Sequence, residues 1–233
     1  MIFGAILAGG TGSRMKQKIP KQFIELNNVP IIIRTLKRML EVNEFDYICI
    51  GIHPDYNDYL QDLLKQYTID SKKILITLGG KERINSIENV LDCITKISDK
   101  KDDIIVIHDA VRPFVSKEIL KNSIINAQKY GACVAVTPAV DTMYILNKND
   151  FIQKFPNRKT IFNGQAPDSF NVQLLKNSIK NLTEEERKTI TGSVQICAKN
   201  GHKIKTIQGD YKNIKITTEN DLAIANTILK MEQ

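Results

Sequence analysis

The run Leu7-Ala8-Gly9-Gly10-Thr11-Gly12-Ser13-Arg14 turns an apolar stretch, residues 2–7, into a loop with three glycines, and Arg14, Lys16, Lys18 and Lys21 follow at once. Glycine lets a backbone approach a ligand with no Cβ in the way. A strand that ends in such a loop can turn successive N–H groups toward an anion, and nearby cations add charge pairing. Phosphate is the natural guest for this chemistry. The spacing is neither G-x-x-x-x-G-K-[ST] nor G-x-G-x-x-G, so neither the Walker nor the dinucleotide fingerprint applies. Arg14 and Lys21 are spaced to reach one triphosphate and to neutralise charge that builds up in phosphoryl or nucleotidyl transfer. The alternative is a basic surface loop without a ligand, and solvated charge is the default for Lys16 and Lys18.

Three other segments carry candidate chemistry. Asp109 closes an apolar run in His108-Asp109-Ala110-Val111-Arg112. A carboxylate there is a hard oxygen ligand suited to Mg²⁺ bridging phosphates, and Arg112 can hold a phosphate through two parallel hydrogen bonds. Alternatively, Asp109 caps the next helix and Arg112 pairs with it. His108 reads as a hydrogen-bonding support for the loop rather than a proton-transfer group. Gly79-Gly80 precede a helical pattern with Arg83 and Ser86 on its first turns. That suits contacts to a base, a ribose or a phosphate, although a plain strand–turn–helix joint has the same local pattern. Near the C-terminus, Lys215 at the end of a strand can point back at the phosphates, or is simply a surface lysine. Thr218 can N-cap the last helix.

These residues need a frame that brings them together. Short β-branched runs at 2–7, 47–52, 73–78, 104–108 and 132–137 alternate with amphipathic segments at 30–40, 57–66, 83–97 and 116–130. Near-continuously apolar strands alternating with helices predict an α/β fold, a Rossmann-like, mostly parallel sheet with helices on both faces. Ligands in such sheets bind beyond the carboxyl ends of the strands. The first glycine loop, Gly79-Gly80 and His108-Asp109 all fall at such ends, so three candidate segments converge on one rim. From about 138 to 165 the rhythm changes. Residues 142–146, a turn at 147–150 and residues 151–155 read as a hairpin, a projecting β-arm too small for a core of its own. Such an arm predicts a homodimer. The chain then returns with helices at 172–181 and after Thr191, a strand near 203–207 and a closing helix at 219–231. Residues 1–233 are expected to form one domain with the arm as its appendage.

Composition narrows the partners. The 42% hydrophobic and 25% charged residues are ordinary for a globular protein. The net charge of +7 is spread along the chain with no block of five or six basic residues, which argues against nucleic acid and for a phosphorylated small molecule. The four cysteines stand far apart with no C-x-x-C pair, as expected of buried reduced thiols in a cytoplasmic protein. The N-terminus has no charged n-region, and no apolar run approaches the length of a membrane span.

Taken in order, LAGGTGSRM, PKQF, GGKERINS, HDAVRPF, AVDT with PNR, GQAP and NIKITTENDL resemble the cytidylyltransferases that join CTP to a polyol phosphate, over nearly the whole chain. That family contains enzymes for 2-C-methyl-D-erythritol 4-phosphate, in isoprenoid synthesis, and for D-ribitol 5-phosphate, in teichoic-acid or capsule synthesis. The resemblance implies attack by the polyol phosphate on the α-phosphorus of CTP with loss of pyrophosphate. It implies Arg14, Lys21 and Lys215 as catalytic, and Leu7, Ala8, Gly9, Gly10, Thr11, Gly12, Gly80, Arg83 and Ser86 as CTP-binding. Asp109 would hold Mg²⁺. Arg112, Thr191 and, from the arm of the other subunit, Arg158 would bind the polyol phosphate. PKQFIEL, ERINSI, HDAVRPF and FPNR are closer to the ribitol-phosphate branch, so D-ribitol 5-phosphate is the expected acceptor. Methylerythritol phosphate, glycerol phosphate and another pentitol phosphate are the alternatives. Gln165-Ala166-Pro167-Asp168 and Thr191-Gly192-Ser193 depart from the family's GQTPQ and Thr-Asp-(Glu/Ala) patterns, both near the acceptor pocket.

Overall fold

A computed structural model describes residues 1–10 and 19–232. Its centre is a seven-stranded sheet in the order β11-β7-β10-β6-β1-β4-β5. The strands are β1 (Ile2–Ala8), β4 (Tyr47–Ile52), β5 (Ile74–Leu78), β6 (Ile104–Asp109), β7 (Ala132–Pro138), β10 (Phe162–Asn171) and β11 (Lys205–Gln208). β1 lies between β4 and β6 and is parallel to both, with β5 extending the parallel set. β10 runs antiparallel between β6 and β7. The fold is therefore α/β with a mostly parallel sheet, as the alternating pattern predicts.

Alternation along each strand divides the core between the two faces. On β1, Phe3 and Ala5 point to one side and Ile6 and Ala8 to the other; on β6, Ile105 and Ile107 oppose Ile104 and Val106. The helices α1 (Ile31–Leu40), α2 (Asn57–Gln66) and α4 (Lys117–Tyr130) close one face through Leu36, Met39, Leu60, Leu120 and Ile124. The other face is closed by α3 (Arg83–Thr95), α5 (Val172–Lys180) and α7 (Ser193–Lys199) through Ile87, Val90, Leu175 and Ile196. Each such buried aliphatic side chain contributes about 1.5–3 kcal/mol relative to exposure. β6 is buried at all six positions, so the strand that ends in Asp109 is the best anchored of the set. A third, smaller cluster packs the closing helix α8 (Glu219–Met231), through Ala225 and Ile228, on Val111, Phe114 and Ile216. Thr218 caps that helix, accepting the Asp221 N–H at 3.3 Å.

Two short pairs complete the strands: β2 (Glu25–Leu26) with β3 (Val29–Pro30), and β8 (Ile145–Leu146) with β9 (Ile152–Lys154). The second pair is the expected arm, shorter than its sequence pattern, and every residue of it is exposed. Two elements differ from expectation. β10 occupies residues assigned to the arm or left without regular structure, and α6 (Glu184–Thr189) has no counterpart in the sequence reading. Lys215 was expected at the end of a strand, but residues 209–218 contain none. No helix among the described residues is long and apolar enough to cross a membrane.

Candidate functional site

Four parallel strands bring their carboxyl ends to one edge. Ala8 lies level with Ile52 of β4, Leu7 with Asp109 of β6, and Leu78 of β5 with Ile52. The loops leaving these ends, together with Lys21, Gln22, Arg83, Ser86 and Lys215, line a cavity of about 330 Å³. Two of the loops touch. A Cβ on Gly79 would fall 2.7 Å from the Cα of Gly9, and one on Gly80 would fall 2.3 Å from the Cβ of Asn85. Neither position can carry a side chain without displacing backbone, so close approach is what demands glycine here. Gln22 is buried and donates its amide to the carbonyls of Ala8, at 2.8 Å, and Gly10, at 3.0 Å. It thereby fixes the backbone of residues 8–10, where β1 ends. Ser86 does the same for the Gly79-Gly80 loop, accepting the Gly80 N–H at 2.9 Å and donating to the Glu82 carbonyl at 3.2 Å.

Asp109 is the electrostatic hub. Arg83 reaches one of its oxygens at 2.8 Å; Lys215 and Arg112 reach the other at 3.0 and 3.3 Å. Burial alone would raise its carboxyl, but the Arg83, Lys215 and Arg112 charges outweigh burial and hold it well below the usual carboxylate range. The three cations differ in freedom. Arg112 is buried and also donates to the Asn213 carbonyl at 2.7 Å, whereas the Lys215 side chain is 40% exposed. Lys215 is held through its neighbour: Ile216 is buried against α8 and donates its N–H to the Val111 carbonyl at 3.0 Å. His108 is fully buried, with Nε2 3.0 Å from the Arg112 carbonyl. Burial pushes its imidazole down to about 4. It is therefore neutral, and a neutral Nε2–H donor ties down the loop that carries Arg112.

A second cavity, of about 180 Å³, adjoins the first, and Arg83, Asp109 and Lys215 line both. Its other walls include Arg112, Gln165, Ala166, Asp168, Thr191 and Gly192. Burial pushes the Asp168 carboxyl up to about 6, against the pull of Arg83, whose nearest nitrogen is 3.7 Å away. Asn213, also buried, donates to the Ala166 carbonyl at 2.7 Å, so the loop that carries Lys215 is tied to this second wall.

Most of the expected site residues converge. Leu7, Ala8, Gly9, Gly10, Lys21, Gly80, Arg83, Ser86, Asp109 and Lys215 line the first cavity, and Arg112 and Thr191 the second. Thr11, Gly12 and Arg14 lie outside the described residues. Arg158 lines neither cavity; it sits in the arm and donates to the Val140 carbonyl at 2.7 Å. Asp109 does not cap a helix, since Ser116 caps α4 by accepting the Ile119 N–H, but it does pair with Arg112. Gln22, Asn213 and Asp168 were not among the expected site residues. Gln22 stands inside PKQF, and an amide side chain between Lys21 and the apolar Phe23, soon after a glycine-rich run, is the signal that points to it. Among the described residues no three His, Cys, Asp or Glu gather as a metal cage. Asp109 is a hard oxygen donor in a cavity suited to phosphates; both its oxygens are paired with cations, so Mg²⁺ there would take the place of the partly exposed Lys215 and draw its remaining ligands from phosphate and water.

The family model for 2-C-methyl-D-erythritol 4-phosphate cytidylyltransferase matches residues 2–231. Among solved structures, the chain is similar to 4-diphosphocytidyl-2C-methyl-D-erythritol synthase from Anaerococcus prevotii, with 29% identity, a TM-score of 0.82 and coverage of 99% of this chain and 96% of that one. It is also similar to 2-C-methyl-D-erythritol 4-phosphate cytidylyltransferase from Francisella tularensis, with 27% identity, a TM-score of 0.81 and coverage of 97% and 98%. The Thermus thermophilus enzyme of that name shares the fold at 20% identity and a TM-score of 0.74, over 99% of this chain and 100% of that one. The expected leaning toward the ribitol-phosphate branch finds no support in these matches.

Proposed function

This chain belongs to the 2-C-methyl-D-erythritol 4-phosphate cytidylyltransferase family and is a CTP-dependent cytidylyltransferase; from that premise we propose that it transfers the cytidylyl group to 2-C-methyl-D-erythritol 4-phosphate. The observation that carries the reading is the shared wall: Arg83, Asp109 and Lys215 face both cavities. CTP occupies the larger cavity, with its phosphates along Gly9, Gly10 and Gly80. The acceptor occupies the smaller one. A phosphate-monoester oxygen of the acceptor attacks the α-phosphorus, forming one P–O bond. The bond from the α-phosphorus to the bridging oxygen breaks, and its electron pair leaves with pyrophosphate. No general base is needed, because the attacking oxygen is already ionised.

The residues divide the work by their freedom. Lys215 can leave Asp109 for the reacting phosphate because its side chain is partly exposed. Lys21, on the rim of the first cavity, and Arg14 stabilise the pentacoordinate transition state with it. Arg83 and Ser86 hold CTP, and Arg112 and Thr191 hold the acceptor. Asp109 would hold Mg²⁺. When bound, that ion neutralises the triphosphate oxygens.

The arm has no core of its own, and Phe151 and Phe155 are 71% and 70% exposed. Exposed aromatic surface on this scale marks an interface. The arm of one copy packs on another and brings Arg158 to its neighbour's acceptor cavity. D-Ribitol 5-phosphate is the second reading, favoured by one observation. Small residues, Ala166 and Gly192, bound the acceptor cavity, and a Cβ at Gly192 would meet nothing within 4 Å, so a longer polyol has room. Pyrophosphate release from CTP, Mg²⁺ and each polyol phosphate separates the two. Turnover with methylerythritol phosphate is expected; turnover with ribitol phosphate alone would favour the second reading, and none with either would overturn both.

A further inference from the structure

The second cavity holds a carboxylate for which the mechanism above has no use. Asp168 follows a register shift in β10 and lies level with Ile107 of β6 and Val134 of β7. It lines the smaller cavity and not the larger one. It is also only partly satisfied. Arg83 gives its close contact to Asp109, at 2.8 Å, and stands 3.7 Å from Asp168, beyond hydrogen-bonding range. The nearby Ser193 hydroxyl accepts from Arg83 Nε at 3.2 Å. A carboxylate has about four acceptor positions, so Asp168 keeps capacity on its cavity side. A buried carboxylate short of donors is costly, and a ligand that supplies one recovers that cost on binding. A polyol presents hydroxyl donors; its phosphate presents none when ionised.

We propose that Asp168 is the specificity-determining residue for the acceptor, its carboxylate taking a hydrogen bond from a hydroxyl of the bound polyol phosphate. This rests on the smaller cavity being the acceptor's seat. It also sets the acceptor's polarity. The phosphate is repelled from Asp168 and drawn to the cavity border, where Lys215 faces the α-phosphorus of CTP. The hydroxyl end lies beside Asp168 and Gly192, which line the smaller cavity and not the larger one. A residue acting only as an anchor for Arg83 would behave differently, because Arg83 lines the CTP cavity as well. Its loss would then weaken both substrates.

Steady-state kinetics of wild type, Asp168→Ala and the near-isosteric Asp168→Asn test this, using the acceptor that releases pyrophosphate and its monodeoxy analogues. Asp168→Ala should raise the acceptor KM about ten- to hundredfold, the range of a hydrogen bond to a charged group, and move the CTP KM less than twofold. Asp168→Asn should show a smaller rise in the same direction. One deoxy analogue should cost wild type about tenfold or more and cost Asp168→Ala less than twofold, the coupling expected of a direct contact. Equal losses for CTP and acceptor, or deoxy penalties that are the same in wild type and variant, would overturn the assignment while leaving the enzyme reading intact. Wild type inactive with every acceptor would instead remove the reading beneath it. Should Asp168→Ala fail to fold, Asp168→Asn carries the same comparison.

Discussion

Replacing Asp109 by asparagine keeps the shape of the hub and removes its charge. The two arginines on it are mostly buried, with side chains 23% and 11% exposed, whereas Lys215 is 40% exposed and can turn to solvent. The cost therefore comes from Arg83 and Arg112. Breaking a buried pair by removing one partner costs about 3–5 kcal/mol. Here the lower end applies, because Arg83 keeps Ser193 at 3.2 Å and Arg112 keeps the Asn213 carbonyl at 2.7 Å. About 3 kcal/mol corresponds to a melting-point drop of about 6–12 °C for a chain of this size. CTP binding by calorimetry adds a second readout whose sign depends on the metal. With EDTA present, Asp109 repels the triphosphate, so Asp109→Asn should bind CTP several-fold tighter than wild type. With Mg²⁺ present, the variant loses the ion's carboxylate and should bind more weakly. A shift in the same direction under both conditions would refute the metal role. A loss of stability below about 1 kcal/mol would refute the hub.

Lys21→Ala should lower kcat far more than it raises the acceptor KM, since its charge acts in the transition state; equal losses in steady-state kinetics would contradict that role. The raised Asp168 carboxyl makes the native state bind its proton more tightly than the unfolded chain does. Its stabilising contribution is thus complete below about pH 4 and lost as the pH rises through about 6. Denaturant titrations across pH 4–8 should therefore find Asp168→Asn more stable than wild type by up to about 3 kcal/mol above pH 6, with the gain vanishing toward pH 4; a pH-independent difference would refute the shift. His108, neutral when folded and pushed down to about 4, has the opposite sign, losing stability as the pH falls below its unfolded value, so wild type should show a flatter profile than the variant. Finally, Arg158→Ala mixed with Lys21→Ala should regain part of the activity if the arm crosses between subunits, and Phe151→Asp with Phe155→Asp should yield monomers by light scattering; no rescue and an unchanged mass would place Arg158 and the arm outside the site.

The residue types that do the chemistry are legible in the sequence, and their sharing is not. β-Branched runs mark β1, β4, β5 and β6, and the rule that ligands bind beyond strand ends then joins Gly9, Gly80 and Asp109 into one wall before any coordinates. β10 escapes this reading because Phe-Asn-Gly-Gln-Ala-Pro-Asp-Ser-Phe-Asn has a glycine, a proline and no alternation. Its pairing with β6 and β7 is long-range and antiparallel within a parallel set. Lys215 misleads in the opposite way: Ile214, Lys215 and Ile216 alternate as a strand would, yet what positions them is Ile216 packing under α8. The deeper gap is allocation. Local motifs give Arg83 and Asp109 one role each and Asp168 none, but Arg83 is 26 residues from Asp109 and 110 from Ser193 along the chain, and only the fold decides which carboxylate wins it. Asp109 wins at 2.8 Å, and Asp168 is left at 3.7 Å. That outcome separates two carboxylates on one wall into two environments, one saturated by cations and one short of donors. The first suits charge that passes through the reaction, and the second suits a hydroxyl that must be recognised before it.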